Sequence, residues 1–490
     1  MTLFVKLSTL SGIIAVLYFI IITAVVIRII YDTRNPVKSL AYILLTVFIP
    51  FFGMFFYFSF GVNYRKKKFY KKKSIENNEL MSTLRVLTEV STAQTIEYRP
   101  ELYDTNAHLI RMLLRESSSP LASVSEMKLL LNGENKFPEL IKAMENAKDH
   151  IHIEYYIYDD DEIGNALKNI MIRKAKEGVT VRFIFDDYGS HVVKKKMMKE
   201  LLENGVEVYP FYEIKLFALA NRMNYRNHRK IVVVDGNIGF IGGLNIADRY
   251  INNGKFDLYW RDTHLMFKGN AVSSLQYIFI SDWNFCKKQH SIFTIEKRYF
   301  PIEPIGPEQD TLQIASSGPD NNNPDILLSY LGIITGSRKR IYITTPYFIP
   351  NDTIVNAIKY SALSGVDVRL LVPGVSDSRI VGAASSAYYR ELLEAGVRIY
   401  QYRKGFVHAK TMVSDDKLSV IGTANMDIRS FDIMFEINAN IFSESMNQQL
   451  CDAFMRDIED SDEIILEEWL KRKAIVKFAS YCARLGSPLL

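Results

Sequence analysis

One plan is written twice along this chain, and that repetition constrains its fold more than any other feature. The first copy has an apolar run at Ile151–Tyr158, a helix-like segment, and then Gly178-Val-Thr-Val-Arg-Phe-Ile-Phe185. The second has Ile341–Ile349, another helix-like segment, and Gly365-Val-Asp-Val-Arg-Leu-Leu-Val372. Further on, Glu200-Leu-Leu-Glu-Asn-Gly-Val-Glu-Val-Tyr209 is answered by Glu391-Leu-Leu-Glu-Ala-Gly-Val-Arg-Ile-Tyr400. β-Branched runs that alternate with amphipathic helices build α/β layers around a buried sheet. A glycine between each helix and the following strand is the expected helix stop. At 490 residues the chain is too long for one ordinary domain. The expected fold class is α/β: two similar domains, residues 106–305 and 306–490, related by a pseudo-twofold axis.

The duplication extends to polar residues. His228-Arg-Lys230 followed by Asp235 matches His408-Ala-Lys410 followed by Asp415, and Gly242 with Asn245 matches Gly422 with Asn425. Side chains at i and i+2 of a strand share a face, so each histidine is expected beside its lysine. Next to apolar runs such as Ile231–Val234, these groups cost desolvation unless they have partners. Two histidines and two lysines facing each other across a domain interface suit phosphodiester chemistry. The lysines, with the amides of Asn245 and Asn425, can hold phosphate oxygens and neutralise transition-state charge. One imidazole can attack phosphorus while the other moves the proton of the leaving and incoming alcohols. That division calls for one neutral and one protonated ring in the resting site. Asp262 and Glu436, one downstream of each motif, are candidates to orient the rings. Asp235 and Asp415 are further catalytic candidates, although they fall at strand ends before turns and can be structural. The stretch before the first histidine is 11 residues longer than its counterpart, and the insertion around Glu213–Arg226 is a candidate substrate-facing segment. His191 and His264 lie outside the duplicated pattern.

Composition excludes several other chemistries. Three scattered cysteines, Cys286, Cys451 and Cys482, form neither a disulfide framework nor a zinc site. No metal-ligand spacing, phosphate-binding glycine loop or nucleophilic serine elbow is present. A net charge of +5 is modest for a nucleic-acid protein. The N-terminus differs in kind: Leu7–Ile27 and Ser39–Tyr64 carry no charge, and each is long enough to cross a hydrocarbon core of about 30 Å. Residues 1–65 are therefore expected to be an anchor of two transmembrane helices, with 66–105 a basic and polar linker. Pro50 and Gly53 leave open a kink or a re-entrant hairpin in the second segment. The basic run Arg65–Lys68 and Lys71–Lys73 places the rest of the chain on the cytoplasmic side and can attract anionic lipid. The C-terminal stretch Ile464–Leu490 mixes aromatic and basic residues. It reads equally as an interfacial helix or as a packed helix with a solvated basic face.

These residues resemble the phospholipase D superfamily, whose signature is H-x-K, four further residues and D, then G-[GST]-x-N. The sequence satisfies it at His228, Lys230, Asp235, Gly242, Gly243 and Asn245, and again at His408, Lys410, Asp415, Gly422, Thr423 and Asn425. Within it, the chain is similar to bacterial cardiolipin synthases through Ile241–Asp248, Trp260–His264, Ser317-Gly318-Pro319, Thr345–Phe348, Gly422–Asp427 and Ser487–Leu490. It departs at Ile433-Met434, where the family more often has Leu-Asn. The resemblance implies that two phosphatidylglycerol molecules become cardiolipin and glycerol at a bacterial cell membrane, without a metal or other cofactor. It implies His228 as nucleophile, through a phosphohistidine, and His408 as acid and base. Its partners are membrane lipids rather than nucleic acid. Water or another alcohol as acceptor, a nuclease, and a catalytically dead lipid-binding scaffold are the competing readings. The four intact His and Lys residues oppose the last.

Overall fold

The computed structural model describes residues 2–33, 36–58, 92–116, 119–211, 225–286, 296–304, 306, 310–321 and 323–487. The described residues up to Phe58 form one unit and those from Thr92 onward a second.

In the first unit, helix Thr2–Asp32 contains a 21-residue apolar stretch, Gly12–Asp32, of mean hydropathy 2.9. At 1.5 Å per residue it is about 31 Å long, enough to cross a bilayer core. The second apolar segment does not repeat this. It forms helix Pro36–Phe48, breaks at Ile49 (φ −133°), and resumes as the short helix Pro50–Phe56. Gly53 lies so close to Leu45 and Thr46 that a Cβ there would overlap their backbone, and the Tyr57 hydroxyl donates to Asp32 at 3.2 Å. The segment therefore doubles back. Pro50 supplies no amide to the helical ladder and disfavours helical backbone at the residue before it. Among the described residues only the first helix is long and apolar enough to span a membrane, and the described part of the second apolar segment is divided between two shorter helices. The basic run at 65–73 and most of the expected linker lie outside the described residues.

The second unit holds two sheets built to one plan. The first runs, edge to edge, Glu126–Leu131, Thr263–Lys268, Ile238–Gly242, Ile231–Val234, His150–Tyr155, Thr180–Asp186 and Glu207–Phe211. The second repeats that order with Asp310–Ser317, Glu436–Phe442, Leu418–Gly422, Thr411–Ser414, Arg340–Thr344, Asp367–Pro373 and Arg398–Tyr402. In each, the last three strands are parallel and the remainder antiparallel. Helix ends match too: Gly178 and Gly365 both take φ +91°, the left-handed stop that glycine adopts without strain. The sheets share a core in which Ile231, Val233, Ile241 and Leu265 meet Ile314, Val413, Ile421 and Ile437. Val232 and Val234 point the other way, into a layer with Leu167 and Phe183 beneath helix Glu162–Lys176.

The sheets do not divide at the boundaries the repeat implies. Strand Ala122–Val124 adds to the edge of the second sheet by pairing with Asp310–Leu312. Helix Pro100–Glu116 buries Leu109, Ile110 and Leu113 against Ile326 and Ile333 of the second copy. Residues 100–124 thus serve the second sheet although they precede the first.

Candidate active site

Each histidine–lysine segment lies just before its strand, not within it, because its backbone is engaged by the other copy. Asn227 bridges to Phe435, and the His228 amide donates to the Phe435 carbonyl at 2.9 Å. By the same geometry, Gly405–Val407 pairs in parallel with Tyr259–Arg261, and the His408 amide donates to the Arg261 carbonyl at 2.7 Å. The residue after each of these carbonyls is a carboxylate. The backbone exchange therefore presents Glu436 to His228 and Asp262 to His408.

The ring contacts follow. His228 Nδ1 is 3.0 Å from both carboxylate oxygens of Glu436, and His408 Nδ1 is 2.7 Å from Asp262 Oδ2. Each acid serves the histidine of the opposite copy. An Nδ1–H donated to a carboxylate leaves the Nε2 lone pair as the reactive position of a neutral ring. The two acids are supported differently. Glu436 accepts the Thr423 hydroxyl at 2.5 Å, whereas Asp262, one methylene shorter, takes the backbone amide of Thr263 at 2.7 Å. Gly243, the counterpart of Thr423, has no room for a side chain: a Cβ there would overlap the Asp262 carboxylate. Asp with Gly and Glu with Thr are two solutions to one packing problem. Gly243→Ala is expected to displace Asp262 and lower turnover about 100-fold with the fold intact. Thr423→Ala removes one charged hydrogen bond and should cost about tenfold. Turnover beside the thermal midpoint checks both, and a fully active Gly243→Ala would refute the packing argument.

Lys230 Nζ donates to the His228 carbonyl at 2.8 Å and Lys410 Nζ to the His408 carbonyl at 2.6 Å, and both lysines are buried. Burial is the largest influence on all four basic groups. It pulls Lys230 down to about 7 and Lys410 to about 8, against the attraction of Glu436 and Asp262. It also pulls His228 to about 4 and His408 to about 3, with the neighbouring lysines adding to the effect. For Asp262, burial pushes upward, but His408 and Lys410 more than offset it and hold the carboxyl below its ordinary value. Burial thus favours the neutral form of both rings in the empty site, against the expectation of one protonated imidazole at rest. Taking a cation out of water costs more than the flanking carboxylates return.

Asp235 and Asp415 are not part of this cluster. Each takes a positive φ, +52° and +46°, at the far end of its strand from the histidine. Asp235 accepts the backbone amides of Lys148, Asp149 and His150, and Asp415 those of Arg338, Lys339 and Arg340. They fasten a turn to the neighbouring strand, so their expected catalytic role is corrected to a structural one. The two asparagines also differ. The Asn245 side chain is engaged, accepting from the Ile157 amide at 3.2 Å and donating to Tyr250 at 3.4 Å. Asn425 is buried with its Oδ1 unpartnered. The departure at Ile433-Met434 leaves Glu436 bonded to His228. The insertion around 213–226 lies outside the described residues except for Tyr225 and Arg226, and Arg226 is buried beside Asp186.

Other contacting groups were not legible as such. The Tyr156 ring stands edge-on to His228 at 5.0 Å, and the Trp260 ring is 5.2 Å from His408. Lys136, fully buried, donates to the carbonyls of Leu244 and Asn245 at 2.9 and 3.2 Å. Its counterpart is Tyr330, whose hydroxyl donates to the Ala424 carbonyl at 3.2 Å. Asn438, which donates to Tyr330 at 3.0 Å, occupies the place of His264, a buried ring with both nitrogens unpartnered. The copies hold their G-x-x-N loops with different chemistry, so the pseudo-symmetry stops one layer behind the histidines. Among the described residues, no group of three or more His, Cys, Asp or Glu is placed to hold a metal ion.

The family profile described as "Cardiolipin synthase, PLD-like domain" matches residues 140–283 and 330–458, one match over most of each sheet. A second, "Phospholipase_D-nuclease N-terminal", matches residues 17–61. A cardiolipin synthase of Alkalihalophilus pseudofirmus is 39% identical over 487 residues, covering 99% of this chain and 95% of its own. Cardiolipin synthase 2 of Bacillus anthracis is 40% identical over 463 residues, covering 94% and 88%. Among solved structures, phosphatidylserine synthase of Haemophilus influenzae Rd KW20 superposes with a TM-score of 0.58 at 14% identity, over 79% of this chain and 99% of that one, a likeness of fold. With both motif copies intact and relatives of this identity along nearly the whole length, the chain belongs to the cardiolipin synthases, phosphatidyltransferases of the phospholipase D superfamily.

Proposed function

We propose that this enzyme joins two phosphatidylglycerol molecules into cardiolipin and glycerol through a phosphohistidine, at the cytoplasmic face of a bacterial cell membrane. The crosswise histidine–carboxylate pairs carry the reading, because they give two equally oriented imidazoles, one for each face of a phosphodiester. His228 Nε2 attacks phosphorus, the bond to the glycerol oxygen breaks, and His408 supplies the proton that oxygen needs. His408 then takes the proton of a second phosphatidylglycerol hydroxyl, whose oxygen attacks phosphorus and releases His228. Lys230, Lys410 and the amide of Asn425 hold the non-bridging oxygens.

Electrostatics supports the sequence of events. The empty site balances two lysine cations against Asp262 and Glu436. An arriving phosphodiester adds a negative charge, which favours protonation of one imidazole. The substrate thereby brings the condition for general-acid catalysis with it. The basic residues after the apolar hairpin favour the cytoplasmic face for the catalytic unit.

For the free enzyme, kcat/KM should be bell-shaped. The nucleophilic ring is neutral above about 4, and the lysine cations are lost as pH rises through about 7 to 8. Activity therefore falls on the alkaline side first, and a flat profile into the alkaline range would refute the lysine assignment. The deciding experiment is lipid analysis after incubating the reconstituted protein with phosphatidylglycerol alone. Cardiolipin with equimolar glycerol, absent from His228→Ala, supports the proposal. Phosphatidic acid as the main product makes the enzyme a hydrolase.

A further inference from the structure

Helix Ala474–Leu485, the last described helix, lies against helix Arg379–Glu394. Ser386 donates to Ser480 at 2.9 Å, and Arg484 sits over the Tyr388 ring and 3.7 Å from Glu391. Among the described residues nothing covers the opposite face. Ile475, Phe478 and Leu485 are 69%, 66% and 84% exposed, and Cys482 is exposed with them. Positions 475, 478, 482 and 485 fall on one helical stripe. A contiguous apolar stripe of this kind marks an interaction surface rather than ordinary scattered exposure.

Beside the stripe is a small surface cavity lined by Ser386, Arg390, Trp469, Arg472, Lys477 and Tyr481. Arg390 is paired with Glu394 at 2.8 Å. Among the described residues, neither Arg472 nor Lys477 reaches a carboxylate. Arg472 donates to the Trp469 carbonyl at 3.2 Å with its guanidinium over the indole, and Lys477 donates to the Leu470 carbonyl at 2.6 Å. From Trp469 to Ser487 the basic residues are Lys471, Arg472, Lys473, Lys477 and Arg484, with no Asp or Glu among them. Apolar stripe, cationic flank and tryptophan together match the three layers of a bilayer surface: acyl chains, phosphates and the boundary between them.

We propose that helix Ala474–Leu485 is a second membrane contact, lying in the surface of an anionic bilayer with Ile475, Phe478 and Leu485 among the acyl chains and a lipid phosphate at Arg472 and Lys477. A protein partner would explain the stripe but not the uncompensated cations around the cavity. The inference rests on the membrane attachment read from the N-terminal helix and not on the reaction, and its test involves no turnover.

The test uses the full chain with Cys286→Ser. Because Cys451 is buried, an environment-sensitive fluorophore then reports from Cys482. The protein is placed one protomer per nanodisc, in phosphatidylcholine alone or mixed with phosphatidylserine. The expected result is quenching by acyl-chain nitroxide lipids and protection from aqueous iodide in the anionic discs, weaker in the zwitterionic ones. In Arg472→Gln/Lys477→Gln the ratio of acyl-quenched to iodide-accessible probe should fall about 25-fold, since each surface cation contributes about fivefold to the binding equilibrium. Equal iodide quenching in both lipids overturns the proposal. So does protection that appears only with two protomers per disc and ignores lipid charge, which would assign the face to a second copy of the chain.

Discussion

Glu436→Gln should lower turnover by roughly 10³- to 10⁴-fold, as neutralising the carboxylate behind a catalytic histidine does elsewhere. The loss should be expressed at His228, a residue of the other copy. Glu436 holds Nδ1 of that ring at 3.0 Å, and without the carboxylate the ring loses both its tautomer and the charge that stabilises it when bonded to phosphorus. Asp262→Asn should be comparably damaging, through His408. The leaving group separates the two. With a short-chain phosphatidyl-p-nitrophenol, departure needs no proton, so His408 is dispensable for the first step. Asp262→Asn should then form the phosphohistidine at close to the wild-type rate in an acid-quenched burst, while Glu436→Gln remains slow. A wild-type burst in Glu436→Gln would sink the crosswise assignment. The reversed pattern would mean that each acid serves its own copy or that the two histidines exchange roles.

The second large effect is on stability. Arg229, the residue between His228 and Lys230, is buried and ion-paired with Asp282, which is also buried. It also donates to the Glu436 carbonyl at 3.3 Å. Close by, Glu154 is bonded to Asn227, and burial together with Asp282 raises its carboxyl well above the ordinary range. Arg229→Met leaves this acidic pair without its cation, at an expected cost of about 3–5 kcal/mol. Because burial holds the Glu154 carboxyl well above its ordinary value, the deficit should shrink as pH falls and that carboxyl protonates. Adding Asp282→Leu should recover most of the loss, since removing both partners costs far less than removing one. Denaturation midpoints of the detergent-solubilised protein across pH measure this. An unchanged midpoint in Arg229→Met, or no recovery in the double variant, would show that the pair is not a stabilising unit. Its position between the motif residues means that turnover of Arg229→Met should fall as well, through displaced His228 and Lys230.

The architecture was legible because periodicity and repetition are local properties of a sequence. Two copies of strand, helix, glycine and strand imply two sheets, and equal spacing of His, Lys, Gly and Asn marks one site assembled from two halves. Residue type likewise pointed to Asp262 and Glu436 as the acids. The second apolar segment shows where such reading ends: its length fits a span, but Pro50 and the contact of Gly53 with Leu45 turn it back. Residues 100–124 show the same limit, because nothing in strand Ala122–Val124 tells which of two similar sheets it will join.

What the sequence by itself determined is the chemistry available: two imidazoles, two ammonium groups and two carboxylates on a duplicated frame. Only the tertiary structure decided how they are shared. The exchange of backbone pairing at Asn227–Phe435 and Val407–Arg261 hands each carboxylate to the opposite histidine. Packing likewise engages Asp235 and Asp415, at the far strand ends, with three backbone amides each. Burial then favours the neutral form of both rings and draws Lys230 and Lys410 down to about 7 and about 8. The physical reason is common to all three outcomes. Pairing partners and desolvation depend on which surfaces meet, and residues 146 and 208 positions apart in the chain, His408 with Asp262 and His228 with Glu436, acquire their properties only where the two copies close on each other.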